Sequence, residues 1–575
     1  MKGFVVRGLL GLTGLGSVSV GCSTTPASRG LPQPSAEKPT LKLPCGTFTG
    51  SVSQGIESYN GIPYAEPPVG PLRLKPPRKL SRNLGRVDVS GKAAACPQLP
   101  MNRENATNVA RNALSVFKLP FWQMAKGQED CLTVSVQRPA RLAPGEKLPV
   151  LVWVHGGFYE VGSSSAYDAA TFLSTAAEGG RPFVFVSVNY RLGGFGFMPG
   201  SEILKDGSAN LGLLDQRAAL EWVADNIEGF NGDPEKVTIW GESAGAYSVV
   251  NQMALFDGSA SNYNGKPLFR GAIMNSGSLF PADRIDCPKG QAVYDAVVKK
   301  AGCQGQKDTL SCLRGLDYEA FLDATAANPG FLSYNAAALS YLPRPDGQVL
   351  TASVDELVET GRYHAVPAII SSQEDEGTIF SMLQQPIKND EDFTNYLSEL
   401  YFQSAPKDQL AELVHVYTKN GESEGSPFRA PSSNSLYPYY KRIAAWTGDY
   451  CFTLTRRKFL ELTARVNPSI PTWSCLSSTY RDTPNVGTFH TSDLAQIFYD
   501  TKPTPATLSW RQYYINFVYS LDPNKGKTSG SDWPLWKDNK MLLWFETQEN
   551  VSHITDDFRS EAFAVFNKIW GSLRQ

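Results

Sequence analysis

Short apolar runs punctuate the chain, and the segments between them follow a different period. Pro149–Val154 (PVLVWV), Phe183–Tyr190 (FVFVSVNY), Val237–Trp240 (VTIW), Gly271–Met274, Pro367–Ser371 and Trp473–Tyr480 are β-rich stretches without polar alternation. A strand that alternates has one face in water, whereas an unbroken run is buried on both faces. Between the runs, segments such as Leu211–Asn226 carry apolar residues at helical spacing. Strands of this kind separated by helices predict an α/β fold: a large, mostly parallel central sheet with helices on both faces. No internal repeat is present, and residues 43–575 read as one domain with insertions.

The first residues depart from that pattern. Lys2 and Arg7 flank a short apolar stretch, Gly8–Val20, that leads into Gly21, Cys22 and Ser23. This order of charged, apolar and small residues is that of a secretory signal, taken as residues 1–23, and the apolar part is too short to span a bilayer. In a bacterial source Cys22 offers lipid anchoring as an alternative. Residues 24–42, rich in Pro, Ser and Thr, read as a linker. The expected product is exported and soluble.

Composition narrows the partners. Lys plus Arg (54) nearly balances Asp plus Glu (56), and a net charge of -2 gives no basis for binding nucleic acid. The nine cysteines suit an oxidising compartment. Spacing alone allows Cys303 and Cys312 to close a short loop and Cys96 and Cys131 a longer one, and leaves Cys45, Cys287, Cys451 and Cys475 unassigned. With no CxxC spacing and five scattered histidines, no metal site is expected. Sequons stand at Asn105 and Asn550.

The motif G-x-S-x-G occurs twice, at Gly241–Gly245 (GESAG) and at Gly421–Gly425 (GESEG). A nucleophile elbow needs a strand, a strained turn and a helix, with glycines where a Cβ would clash. Ser243 has that setting, between VTIW and AGAYSVVNQMAL, whereas Ser423 follows a helical segment and runs into Ser426-Pro427, as a solvated turn. A serine hydroxyl needs a base, and the base an orienting carboxylate; in a strand-turn-helix hydrolase they follow in the order Ser, acid, His. Beyond Ser243 stand His364, His415, His490 and His553. His490, in GTFHTSD after the run ending at Tyr480, occupies a loop beyond a strand end, where catalytic groups gather. His415 lies in a helical pattern, His364 precedes its strand, and His553 is expected to have no strand before it. For the acid, spacing after PAIIS leaves Glu374, Asp375 and Glu376 open. The loop His155–Tyr159 after VLVWV, with the amide of Ala244, is the expected oxyanion site.

These residues resemble the type-B carboxylesterase/lipase family, which includes cholinesterases. The resemblance runs from GIPYAEPPVGPLR (61–73) through EDCLTV (129–134), VNYR (188–191), GESAG, DEGT (375–378) and GTFH, over almost the whole mature chain. AGCQGQKDTLSCLRG (301–315) and SYLPRPDG (340–347) are similar to segments of fungal lipases of the Candida rugosa and Geotrichum type. The resemblance implies the α/β-hydrolase fold, Glu376 as the acid, His490 as the base, and the disulfides Cys96–Cys131 and Cys303–Cys312. It also implies that the insertion at about 97–130 is a lid, with Asn108–Ala125 amphipathic.

One departure stands out. The lipases carry three glycines in the oxyanion loop, and Phe158 takes the place of the third; carry-over makes the amides of Gly157 and Phe158 the donors. A phenylalanine there is expected to restrict the backbone and disfavour esters of bulky alcohols. Taken together, these residues imply two-step acyl transfer through Ser243, with a small-molecule ester as substrate and no cofactor. Three readings follow: a lipase in transient contact with a lipid–water interface, a carboxylesterase for soluble short-acyl or aromatic esters, and a non-enzymatic, cholinesterase-like binding protein. The last is disfavoured because all three triad residues are present.

Overall fold

The strand Leu148–Val154 is buried along its whole length. Successive side chains of a strand point to opposite faces, so the sheet is covered on both sides there. The same holds for Val184–Val188, Gly271–Asn275, Ala368–Gln373 and Thr472–Ser477. The structure, a computed structural model, describes residues 38–99, 119, 126–143, 145–527 and 530–575. The signal 1–23 with Cys22, the linker up to residue 37, Asn105, and Asn108–Ala125 apart from Leu119 lie outside the described residues. Those from Lys38 onward form one compact unit around a contiguous apolar core.

The main sheet has eleven strands: β1 (Ser51–Ser53), β2 (Ile56–Pro63), β3 (Thr133–Pro139), β4 (Leu148–Val154), β5 (Val184–Val188), β6 (Gly232–Glu242), β7 (Gly271–Asn275), β8 (Ala368–Gln373), β9 (Thr472–Ser477), β10 (Met541–Phe545) and β11 (Val551–Thr555). Their spatial order is β1-β2-β3-β5-β4-β6-β7-β8-β9-β10-β11. The run from β5 to β10 is parallel throughout. Antiparallel pairs close both edges. From β4 the chain steps to β5 on one side and later to β6 on the other. The strand order therefore reverses at β4/β6, and a crevice opens beyond their C-terminal ends.

Helix α1 (Leu211–Asn226) packs on β6 and on helix α2 (Ala244–Ala254), which also lies against β4 and β7. Helix α3 (Pro505–Ser520) covers β4 and β6. Disulfides join Cys96 to Cys131 and Cys303 to Cys312, while Cys45, Cys287, Cys451 and Cys475 are free.

The edges of the sheet differ from the sequence expectation. Strand Thr40–Leu43 begins inside the stretch read as linker and pairs with Gly46–Thr49, because its alternate residues need only one covered face. The run ending at Tyr480 leaves the sheet after Ser477. His553 does have a strand before it: it sits on the edge strand β11, opposite Leu543 of β10. Edge strands carry exposed polar positions, so β11 shows no apolar run to read.

Candidate active site

Ser243 stands between the end of β6 and the first residue of α2, with φ 56 and ψ -125. A non-glycine residue held there is strained by roughly 1–3 kcal/mol. The flanking glycines permit the turn: a Cβ on Gly241 would lie 2.2 Å from the carbonyl of Gly245, and one on Gly245 2.0 Å from that of Val154. The Ser243 amide donates to the carbonyl of Asn275 at the end of β7 at 2.9 Å, which fixes the elbow to the neighbouring strand. Ser423 has none of this. It lies exposed in the single turn Gly421–Glu424, its hydroxyl donating to the Asn420 carbonyl.

His490 and Glu376 meet in the interior. His490 Nδ1 is 2.6 Å from Glu376 Oε2, and both side chains are fully buried. The other oxygen of Glu376 accepts from the Gln373 amide at 2.7 Å, which fixes the carboxylate on its own loop after β8. The neighbouring acids point elsewhere. Glu374 pairs with Arg429 at the surface. Asp375 accepts from the Ser426 hydroxyl and from the amides of Phe428 and Thr488, and burial raises it to about 7. Of the three carboxylates the sequence left open, Glu376 is the one on the imidazole.

A second carboxylate, missed in the sequence, faces the other ring nitrogen. Glu242 Oε1 lies 3.2 Å from His490 Nε2, without hydrogen-bond alignment. His490 Nε2 has no hydrogen-bond partner among the described residues, Ser243 Oγ included. Such bonds are often long in unliganded enzymes and tighten around substrate. Burial, with Asp493 and Glu376 nearby, pushes Glu242 well above the usual carboxylate range. Asp493 is raised to about 6, chiefly by burial, and accepts from Asn275 Nδ2 at 2.6 Å. Glu242 was visible as the second residue of GESAG and Asp493 as the third after His490, but no spacing rule links them. The described residues contain no group of His, Cys, Asp and Glu arranged to hold a metal ion.

The loop after β4 lies against Ser243. A Cβ on Gly156 would stand 2.9 Å from Ser243 Cβ and 2.7 Å from Glu242 Oε2. Gly157 has φ 108, and a Cβ there would meet the Val161 carbonyl at 2.1 Å. Phe158 and Tyr159 follow with φ 62 and 60, so the loop runs left-handed through two side-chain-bearing residues. The amides of Gly157, Phe158 and Ala244 donate to no acceptor among the described residues. Phe158 is held by stacking on Phe331 (4.3 Å between centroids, 5° between planes) and by an edge contact with Phe380. His155, stacked on Tyr190 and buried, is lowered to about 4 and stays neutral.

Beside Ser243 lies a narrow apolar pocket, lined by Phe158, Tyr247, Phe280, Ala337, Leu339 and Phe452 among others. Phe452 also touches His490, with ring centroids 4.5 Å apart. Other motif residues serve the scaffold. Arg73 binds Glu129 through two hydrogen bonds, joining GIPYAEPPVGPLR to EDCLTV, and Arg191 of VNYR binds buried Asp215. His364 and His415 stand away from the cluster, on the segment before β8 and on a helix.

Comparison with known proteins agrees with this architecture. The model of the carboxylesterase family matches residues 37–566. A secreted triacylglycerol lipase of Gibberella zeae is 53% identical over 539 residues, covering 94% of this chain and 91% of the relative. Lipase 4 of Diutina rugosa is 40% identical over 494 residues, covering 85% and 88%. Among solved structures, EstA of Aspergillus niger superposes with a TM-score of 0.78 at 23% identity, over 94% of this chain and 99% of that one, a likeness of fold. By the extent of these matches, the chain belongs to the carboxylesterase family.

Proposed function

We propose that Ser243, His490 and Glu376 form the catalytic triad of a secreted carboxylic-ester hydrolase. The observation that carries this reading is the buried 2.6 Å contact between His490 and Glu376, in a molecule whose strained elbow places Ser243 next to Glu242, the residue that faces the same imidazole. Ser243 Oγ attacks the ester carbonyl carbon while His490 Nε2 takes its proton. Glu376 keeps the Nδ1 proton in place and stabilises the imidazolium. The carbonyl oxygen, now negative, is held by the amides of Gly157, Phe158 and Ala244, the last at the positive end of α2. The proton passes to the alcohol as the C–O bond breaks, and water, activated by His490, releases the acid.

The substrate is a small-molecule ester. Its relatives are named as secreted lipases, which supports a lipase that makes transient contact with a lipid–water interface. No described helix is long and apolar enough to cross a membrane. The second reading, a carboxylesterase for soluble short-acyl esters, is favoured by the small apolar pocket beside Ser243. Hydrolysis of a triglyceride series measured across the solubility limit separates them. A jump in rate on emulsion supports the lipase reading, and a smooth saturation curve would sink it.

A further inference from the structure

The pocket wall formed by Ala337 and Leu339 has no helix or strand of its own. Residues 331–342 run as turns and bends, and their main-chain groups must find partners elsewhere. Two of them are met by one side chain from the far end of the chain. Gln575 Nε2 donates to the Ala337 carbonyl at 2.9 Å, and the Leu339 amide donates to Gln575 Oε1 at 3.1 Å. The carboxamide thus brackets Ala338 as a neighbouring strand would. Gln575 is itself 1% exposed.

The main chain of Gln575 holds the opposite wall. Its amide donates to the Pro281 carbonyl at 3.2 Å, and its main-chain oxygen accepts from the Asp283 amide at 2.9 Å and from Arg344 Nη1 at 2.5 Å. Phe280, next to Pro281, lines the same pocket as Ala337 and Leu339. A single residue therefore stitches together two walls of the space beside Ser243.

We infer that Gln575 is a specificity-determining positioning residue, which sets the width of the acyl pocket by clamping Ala337 and Leu339 to the segment that carries Phe280. This rests on the reading of Ser243 as nucleophile, because the pocket is an acyl site only if the ester carbon sits at that hydroxyl. Releasing the clamp leaves two main-chain groups without partners and frees the 337–339 wall to move outward. A wider pocket accepts larger acyl groups, and one methylene more or less in an apolar pocket is worth about tenfold in selectivity.

The test uses the full-length enzyme with p-nitrophenyl acetate, butyrate, octanoate and pivalate, and the variants Gln575→Ala, Gln575→Met and Gln575→Glu. The quantity read is kcat/KM on pivalate or octanoate divided by that on acetate, since the ratio cancels the titration of the shared triad. The expected result is a rise of about tenfold in Gln575→Ala and also in Gln575→Met, which keeps the volume and loses both hydrogen bonds. Gln575→Glu is expected to restore the parent ratio at acid pH, where a neutral carboxyl donates to Ala337 and accepts from Leu339. The ratio should rise as that carboxyl ionises. Ratios equal to the parent in the folded Gln575→Ala and Gln575→Met variants, or a Gln575→Glu ratio raised as far at acid pH as in Gln575→Met, would overturn the inference. If Gln575→Ala does not fold, the Met and Glu variants carry the same decision. Ser243→Ala is run alongside: full activity there would remove the acyl-site reading itself, whereas unchanged ratios with an inactive Ser243→Ala remove only the role of Gln575.

Discussion

Glu242 and Glu376 hold His490 between them, Oε1 of Glu242 3.2 Å from Nε2 and Oε2 of Glu376 2.6 Å from Nδ1. The two acids are not equivalent. Glu376 is aligned for a hydrogen bond and fixed by the Gln373 amide, whereas Glu242 approaches without one and is held high by burial and by its acidic neighbours. Glu376→Gln should lower kcat on p-nitrophenyl butyrate on the order of 10³- to 10⁴-fold, because a carboxamide favours the wrong tautomer of the imidazole. Glu242→Gln should cost only about tenfold, since Glu242 makes no hydrogen bond to the ring that the substitution could remove. Equal losses in the two variants would show that both carboxylates orient the ring.

The two GESxG segments give a sharp contrast. Ser243→Ala removes the attacking oxygen and should reduce kcat on the order of 10⁴-fold or more. Ser423 is exposed and its hydroxyl donates to the Asn420 carbonyl, so Ser423→Ala should leave kcat unchanged and shift stability by less than about 0.5 kcal/mol. Loss of labelling by a fluorophosphonate ester in Ser243→Ala alone checks the same point without turnover.

Local features of the site were legible in the sequence, and contacts between distant segments were not. The elbow at Ser243 is written in adjacent residues, because the strand, the glycines and the helix are all neighbours in the chain. His490 followed from chain order and from its place beyond a strand end. Glu374, Asp375 and Glu376 differ only in direction, and direction depends on Arg429, Ser426 and His490, which come from remote segments. The pairing of Glu242 with His490, and the reach of Gln575 to Ala337, are likewise tertiary. The central strands announced themselves as apolar runs, whereas β1, β2 and β11 at the edges keep polar positions and give no such run.

Phe158 holds a left-handed backbone, φ 62, and pins it by stacking on Phe331. Phe158→Gly relieves roughly 1–3 kcal/mol of backbone strain and gives up a buried aromatic side chain worth roughly 3–5 kcal/mol. The net expectation is a loss of roughly 2 kcal/mol, read as a lower urea midpoint. The space left beside Ser243 should raise kcat/KM on tert-butyl acetate relative to ethyl acetate by about tenfold or more. Unchanged selectivity would mean that Phe158 bounds only the acyl pocket it shares with Ala337 and Leu339, and does not also limit the alcohol side.

Glu160 supplies the pH dependence most open to measurement. Its Oε2 accepts from the Phe331 amide at 2.9 Å, Oε1 has no partner among the described residues, and burial raises the carboxyl from 4.5 to about 8. Between those values the unfolded chain has released a proton that the native state keeps. Native stability therefore falls as pH rises through that window, by up to about 1.4 kcal/mol per pH unit, and levels off above it. Glu160→Gln keeps an acceptor for Phe331 and cannot ionise, so it lacks this slope. At the acid end the variant should be the less stable protein, because its buried NH₂ is left without a partner at a cost of about 1–3 kcal/mol. The curves should then converge and cross as pH increases. Asp375 and Asp493 titrate in the same range but are present in both proteins, so the difference between the two urea-midpoint curves isolates Glu160. Parallel curves from acid to mildly alkaline pH would mean that the Glu160 carboxyl is already ionised in the fold, and that water or a shift of Tyr341 relieves its burial.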